Sequence, residues 1–118
     1  MRVLVCGGRD FNDSNLLYGT LSDIHRRTPI TMIIEGGASG ADTLAHCWGK
    51  DFSQVKTFKA DWAKYGRSAG PIRNKQMLEE GKPNCVVAFP GGRGTAHMVT
   101  IAKEAGVQVI EVAHHDKQ

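Results

Sequence analysis

Short apolar runs alternate with amphipathic stretches along the chain, and glycines stand at three of the joints. Arg2–Cys6 (RVLVC) is the first run and leads into Gly7-Gly8-Arg9-Asp10. Leu16, Leu17, Leu21 and Ile24 then recur at helical spacing. Asn12, Asp13 or Ser14 is available as the cap, and His25-Arg26-Arg27 closes the helix before Pro29. A second run at 31–35 (TMIIE) enters Gly36-Gly37-Ala38-Ser39-Gly40, and a helix over 41–50 turns Leu44, Ala45 and Trp48 inward. The run at 54–59 (QVKTFK) is shorter and more polar, which places it at a sheet edge. Residues 85–89 (CVVAF) are apolar throughout and enter Pro90-Gly91-Gly92-Arg93-Gly94-Thr95. Met98, Ile101, Ala102 and Ala105 then mark a further helix, and 107–112 a last strand.

Buried strands alternating with helices over short connections define an α/β class: a three-layer fold with a parallel sheet of about five strands. Ligands of such sheets gather at the carboxyl ends of the strands, near the point where strand order reverses. All three glycine turns leave carboxyl ends, so they converge on that edge. One stretch, 60–74 (ADWAKYGRSAGPIRN), lacks the rhythm. It is expected as a long functional loop, with Pro71 in the first turn of a helix running through Met77 and Leu78 to Gly81. The organisation expected is a single domain over 1–113 and a polar tail over 114–118.

Composition narrows the class without changing it. A chain of 118 residues builds one core and not two. No apolar run approaches the roughly 20 residues of a membrane span, and the N-terminus enters a strand without a signal-peptide core, so a cytoplasmic location is expected. The net charge of +3 is scattered, with clusters only at Arg26-Arg27 and at Arg67, Arg73 and Lys75. Nucleic-acid binding shows a concentrated basic face, so a small anionic ligand is the better expectation. Cys6, Cys47 and Cys85 are far apart and read as buried free thiols. The histidines have no metal-ligand spacing; neither a metal nor a cofactor is expected, and His25, His46, His114 and His115 read as surface or helix-face residues.

The turns carry the candidate chemistry. Neither G-x-G-x-x-G nor G-x-x-x-x-G-K-[ST] is present, so dinucleotide and P-loop sites are not indicated. Backbone N–H groups at Gly8, Gly36, Gly37, Gly40 and Gly91 to Gly94 are placed for a phosphate or ribose phosphate at helix N-termini, with Pro90 opening the last turn. Ser39 and Thr95 either add hydroxyls to that cradle or cap their own helices. Arg9 and Asp10 form either a solvated turn or a phosphate and ribose contact. Asp42 is either a helix-start charge or a ligand contact. Trp62 and Tyr65 are either core anchors of the long loop or stacking platforms for a base. Arg67, Arg73 and Asn74 are its polar set; Arg73 is either an anion clamp or half of an ion pair pinning the loop. Arg93, within a glycine turn, is left to solvent or ligand.

FPGGRGTA at 89–96 resembles the PGG-x-GT motif of the SLOG superfamily, which includes the Lonely guy phosphoribohydrolases. GGRDF at 7–11, GGASGAD at 36–42 and ADWAKYGRSAGPIRN at 60–74 make the chain similar to one branch, the YspA-type, cpYpsA-related SLOG family of bacteria and phages. The resemblance implies a Rossmann-like sheet, a nucleotide or nucleotide-derived ligand, and pairing into a homodimer or homotetramer. It also exposes a departure. The phosphoribohydrolases continue the motif to PGG-x-GT-x-x-E, and the glutamate position is Met98 here, preceded by His97. Methionine has no acid or base to offer, which favours binding, with possible sequestration of the ligand, over hydrolysis. A nucleoside 5′-monophosphate N-glycosidase using Glu35, Asp10, Asp42 or His97 stays open, as does single-stranded DNA binding by analogy with DNA-processing SLOG proteins.

Overall fold

Five strands carry the inner layer: β1 (Arg2–Cys6), β2 (Met32–Glu35), β3 (Gln54–Thr57), β4 (Cys85–Ala88) and β5 (Gln108–Glu111). The computed structural model describes residues 1–113; the tail expected at 114–118, with His114 and His115, lies outside the described residues. The strands pair in the order β3-β2-β1-β4-β5, all parallel, with Val3 opposite both Ile33 and Cys85. The polar run forms an edge strand, as its composition requires.

The pleat sends alternate side chains to opposite faces, and the core divides accordingly. Val3, Val5, Ile33, Cys85 and Val87 pack with Leu17, Leu21, Ala45 and Trp48 from α1 (Ser14–Arg27) and α2 (Ala41–Phe52). Leu4, Cys6, Ile34, Val86 and Ala88 pack with Met77, Met98 and Ala102 from the helices of the other face. Those helices, α4 (Ala69–Gly81) and α5 (Arg93–Glu104), complete a three-layer, Rossmann-like arrangement. The strand order reverses between β1 and β4, and both strands end in glycine turns at that point.

The stretch expected as a loop is largely helical. Asp61 caps a one-turn helix, α3 (Trp62–Tyr65), by accepting the Lys64 N–H at 3.1 Å; a 3-10 turn follows over Gly66–Ser68, and α4 begins two residues before Pro71. Apolar spacing does not reveal this because residues 61–68 are all exposed. Arg73 and Asn74 therefore project from a helix. Two smaller readings also change. Cys6 and Cys85 are buried, but Cys47 is exposed on α2. Of the three offered caps, Asp13 is the one that accepts the Leu16 N–H. His25 is more than a surface residue, since its Nδ1 accepts the Ile30 N–H at 2.9 Å and closes the turn after α1.

Gly40 sits where the turns meet, with φ +76°, and a Cβ there would overlap the Gly8 carbonyl oxygen and lie 2.6 Å from the Arg9 carbonyl carbon. Gly40→Ala therefore combines backbone strain with a collision against main chain, and we expect a loss of about 2–4 kcal/mol in urea unfolding. Gly19→Ala, within α1 and with nothing within 4 Å of its added methyl, should instead gain about 0.5–1 kcal/mol. Equal stability of the Gly40 variant and the parent would contradict the close approach of the turns.

Candidate functional site

The turn after β1 is held on both sides by main-chain bonds. The Gly8 N–H donates to the Pro90 carbonyl at 2.9 Å, and the Gly8 carbonyl accepts the Ala41 and Phe11 N–H groups at 3.2 Å each. Ser39 Oγ adds a bond to the Arg9 carbonyl at 3.2 Å, so this hydroxyl ties two turns together rather than capping α2. Phe11 rests against the fully buried Phe89, ring centroids 5.3 Å apart, which seats the turn on the core.

Above these turns opens a cavity of about 610 Å³, walled by α3, the 3-10 turn and the start of α4. That volume lies within the range of small-molecule sites. Of the residues singled out in the sequence, Gly8, Arg9, Asp42, Trp62, Arg67, Arg73, Asn74, Gly92, Arg93, Gly94, Thr95 and His97 line it. Gly36, Gly37 and Ser39 line a neighbouring concavity of about 300 Å³ instead, together with Arg9, Trp62 and Arg73. Asp10, Glu35, Gly40, Tyr65, Pro90 and Gly91 line neither. Sequence reasoning missed Cys6 and Met77 in the larger space, and Lys59 in the smaller one. Lys59 had a signal: it lies just past the carboxyl end of β3, on the same edge as the glycine turns.

The walls are cationic. Arg9, Arg67, Arg73 and Arg93 face the cavity, with Asp42 as the acid among its lining residues. None of the four arginines takes part in a salt bridge among the described residues. No side chain caps the N-terminus of α5 at Gly92, so its first N–H groups are left to the cavity, and Thr95 does not cap its own helix. Trp62 is 48% exposed, with the Arg9 guanidinium 5.3 Å from its ring centroid, so it is a wall of the site and not a core anchor. Tyr65 lies outside both spaces, its ring under Lys64 Nζ at 5.1 Å.

Arg73 and Asn74 join the glycine turns after β2 and β4. Arg73 Nη1 donates to the Gly36 carbonyl at 2.7 Å, an approach close enough that a Cβ on Gly36 would lie 2.5 Å from that nitrogen. The arginine thus pins the turn through a backbone carbonyl and not through an ion pair. Arg73 Nε donates to Asn74 Oδ1 at 3.1 Å, which fixes the amide so that Nδ2 meets the Gly94 carbonyl and His97 Nδ1, each at 3.1 Å. An amide nitrogen only donates, so His97 Nδ1 accepts and the imidazole proton resides on Nε2. His97 accordingly offers the cavity a hydrogen-bond donor.

The acids differ sharply. Glu35 is 1% exposed and fully engaged: Oε1 accepts the Gly37 N–H at 2.5 Å, while Oε2 accepts the Thr57 hydroxyl at 2.5 Å and lies 3.0 Å from His46 Nδ1. It braces the β2 turn against α2 and β3, and His46, which looked like an ordinary helix-face residue, is its partner. Asp42 is buried beside the cavity and accepts the Ala38 N–H at 3.2 Å. Desolvation pushes its carboxyl up to about 6, with the charge of Glu35 adding to the rise and Arg73 opposing it. Burial lowers Arg73 from the usual arginine range. Burial, with the Asp42 charge second, pushes the Cys6 thiol up to about 12, so it is no nucleophile. Met98, at the motif's glutamate position, is fully buried in the apolar cluster of the α4–α5 face.

The fold and site define a Rossmann-like protein with a cationic edge at its strand-order reversal. The chain belongs to the YspA, cpYpsA-related SLOG family, whose model matches residues 1–65. It is also 36% identical to the Gene 61 protein of Mycobacterium phage D29, over 92% of this chain and 94% of that relative. Among the described residues no helix is long and apolar enough to cross a membrane.

Two outcomes test this geometry. Asp42 titrates higher in the folded chain than its ordinary value of 3.8, so the folded state binds the proton more tightly than the unfolded one. The stabilising contribution of the protonated carboxyl is full below that value and is lost as pH rises through about 6. Asp42→Asn should therefore be more stable than the parent by about 1–3 kcal/mol at pH 7.5, with the gain shrinking toward zero near pH 4 in denaturant titrations. A pH-independent difference would contradict the burial of this charge. Secondly, long-range proton–nitrogen correlation spectra of the neutral imidazole should show His97 protonated at Nε2. Asn74→Asp, which can only accept, should move that proton to Nδ1. An Nδ1–H signal in the parent would overturn the assignment.

Proposed function

We propose that the chain binds a nucleotide or nucleotide-derived small molecule at the carboxyl edge of the sheet and holds it without cleaving it. The observation that carries this reading is one cavity combining four arginines, the uncapped start of α5 and a half-exposed tryptophan. Phosphate belongs at Gly92 to Thr95, where helix N–H groups and the dipole favour an anion and Arg93 stands beside them. A base is suited to the face of Trp62, with Arg67 and Arg73 closing on the ligand's remaining oxygens.

Retention rather than cleavage is supported by what the cavity lacks and where the acids lie. The motif's acid is replaced by Met98 in the core, Glu35 and Asp10 stand outside the cavity, and His97 presents a proton donor. A binder that removes a nucleotide signal from circulation fits these features and a phage-encoded relative. A second reading, a nucleoside 5′-monophosphate N-glycosidase, is favoured by one observation. Asp42 lines the cavity with its carboxyl raised to about 6, within the range useful for general acid–base work.

Incubation with a nucleotide pool, followed by mass spectrometry of what the washed protein releases on denaturation, separates the two. Stoichiometric recovery of an intact nucleotide is the expected result, and Arg93→Ala should weaken its binding about tenfold or more. Free base and ribose phosphate accumulating in the pool, and abolished by Asp42→Asn, would establish the glycosidase instead.

A further inference from the structure

The smaller concavity beside the main cavity is lined by Arg9, Arg73 and Lys59 and by no carboxylate. It runs along the Gly36 to Ser39 turn and shares Arg9, Ala38, Trp62 and Arg73 with the main cavity, so the two spaces adjoin at the Arg9–Trp62 pair. Lys59 is exposed, yet its position is defined. Its stem is laid along the turn, with Cγ 2.9 Å and Cε 3.6 Å from where a Cβ on Gly37 would be. Its ammonium has no hydrogen-bond or ion-pair partner among the described residues. Glu35 and Asp42 do not neutralise this corner: Glu35 is consumed by Gly37, Thr57 and His46, and Asp42 lines the other space.

Together the two spaces present Arg9, Lys59, Arg67, Arg73 and Arg93 against the single carboxylate of Asp42. One phosphate group seated at the start of α5 answers one side of this field and leaves the Lys59 corner unanswered. We infer that the smaller concavity is a second anion subsite, and that the ligand is a nucleotide carrying two anionic groups, one on each side of the Arg9–Trp62 pair. This rests on the reading of the main cavity as a nucleotide site. The shared chemistry is a second phosphate; it reaches Lys59 either as an extension of a 5′-phosphate chain or from another position on the ribose.

Calorimetric titration with AMP, ADP and adenosine 3′,5′-bisphosphate tests the inference. One of the two doubly phosphorylated probes should bind about tenfold or more tighter than AMP, and which one does so identifies the attachment. Lys59→Met keeps a stem against Gly37 and removes the charge, and it should bring that affinity ratio toward one; Lys59→Ala should do the same. A ratio near one in the parent, with AMP bound, overturns the second subsite and leaves the main-cavity reading standing. A ratio lost in Lys59→Ala but kept in Lys59→Met makes the residue a packing element and likewise overturns it. Failure of all three probes to bind defeats both readings.

Discussion

The main-chain bonds of Gly8 are the constraint on which the site depends. Its N–H reaches the turn after β4, and its carbonyl reaches the first residue of α2. Three turns that would otherwise be independent are thereby fixed to one another by backbone atoms, which have no rotamers to lose. Only glycine allows this closeness, because a side chain at Gly40 would strike the very carbonyl that α2 uses. Once the turns are locked, the start of α5 and the arginines stand in a fixed relation across the strand-order reversal. Positioning of this kind is what a binding site needs, since affinity falls when ligand contacts must be ordered on binding.

The second constraint is electrostatic and unfavourable to the empty protein. Burying Asp42 costs stability at neutral pH, and the desolvated Arg73 nearby relieves only part of it. Arginines that converge on one space without salt-bridge partners repel each other. Strain and destabilisation of this kind concentrate at functional sites, which is consistent with the proposed binding role. Glu35 shows the contrast. It is as buried as Asp42, yet its oxygens are answered by Gly37, Thr57 and His46 within the protein. The fold thus contains one acid that braces and one that is left exposed to the chemistry of the cavity.

The strands and the three glycine turns were legible because each depends on a local pattern: an apolar run, then residues that must turn. The edge position of β3 followed from its polarity. Trp62, Arg67, Arg73 and Arg93 were found as candidates because their residue types are unusual in turns. The helical character of 61–68 was not legible, since a helix exposed on all sides has no apolar stripe and is announced here only by Asp61 and Gly66. The Glu35–His46 pair joins a strand to a helix eleven residues away, and a histidine on a helix carries no mark of what it faces. Lys59 was passed over because it was read as the last residue of the edge strand at 54–59, whereas β3 ends at Thr57 and leaves it at the carboxyl edge. Tyr65 looked equivalent to Trp62, but it lies outside both spaces, beside Lys64.

The exchange of the motif's glutamate has a physical reading that goes past the loss of an acid. His97 and Met98 are neighbours on α5, so the helix sends one to the cavity and the other to the core. Met98 belongs to the cluster that also holds Cys6 and Met77, which surface on the cavity floor. A carboxylate in that layer would be desolvated among apolar side chains and would need a partner that the cluster does not contain. The floor consists instead of a suppressed thiol, Cys6, and one thioether, Met77, which neither donate nor withdraw protons. Above it, Asn74 holds His97, a cavity-lining residue, with its proton on Nε2. Cationic walls and a hydrogen-bond donor would lower the energy of an anion placed there, while the floor adds no charge. Asp42 and His97 are the lining residues suited to moving a proton.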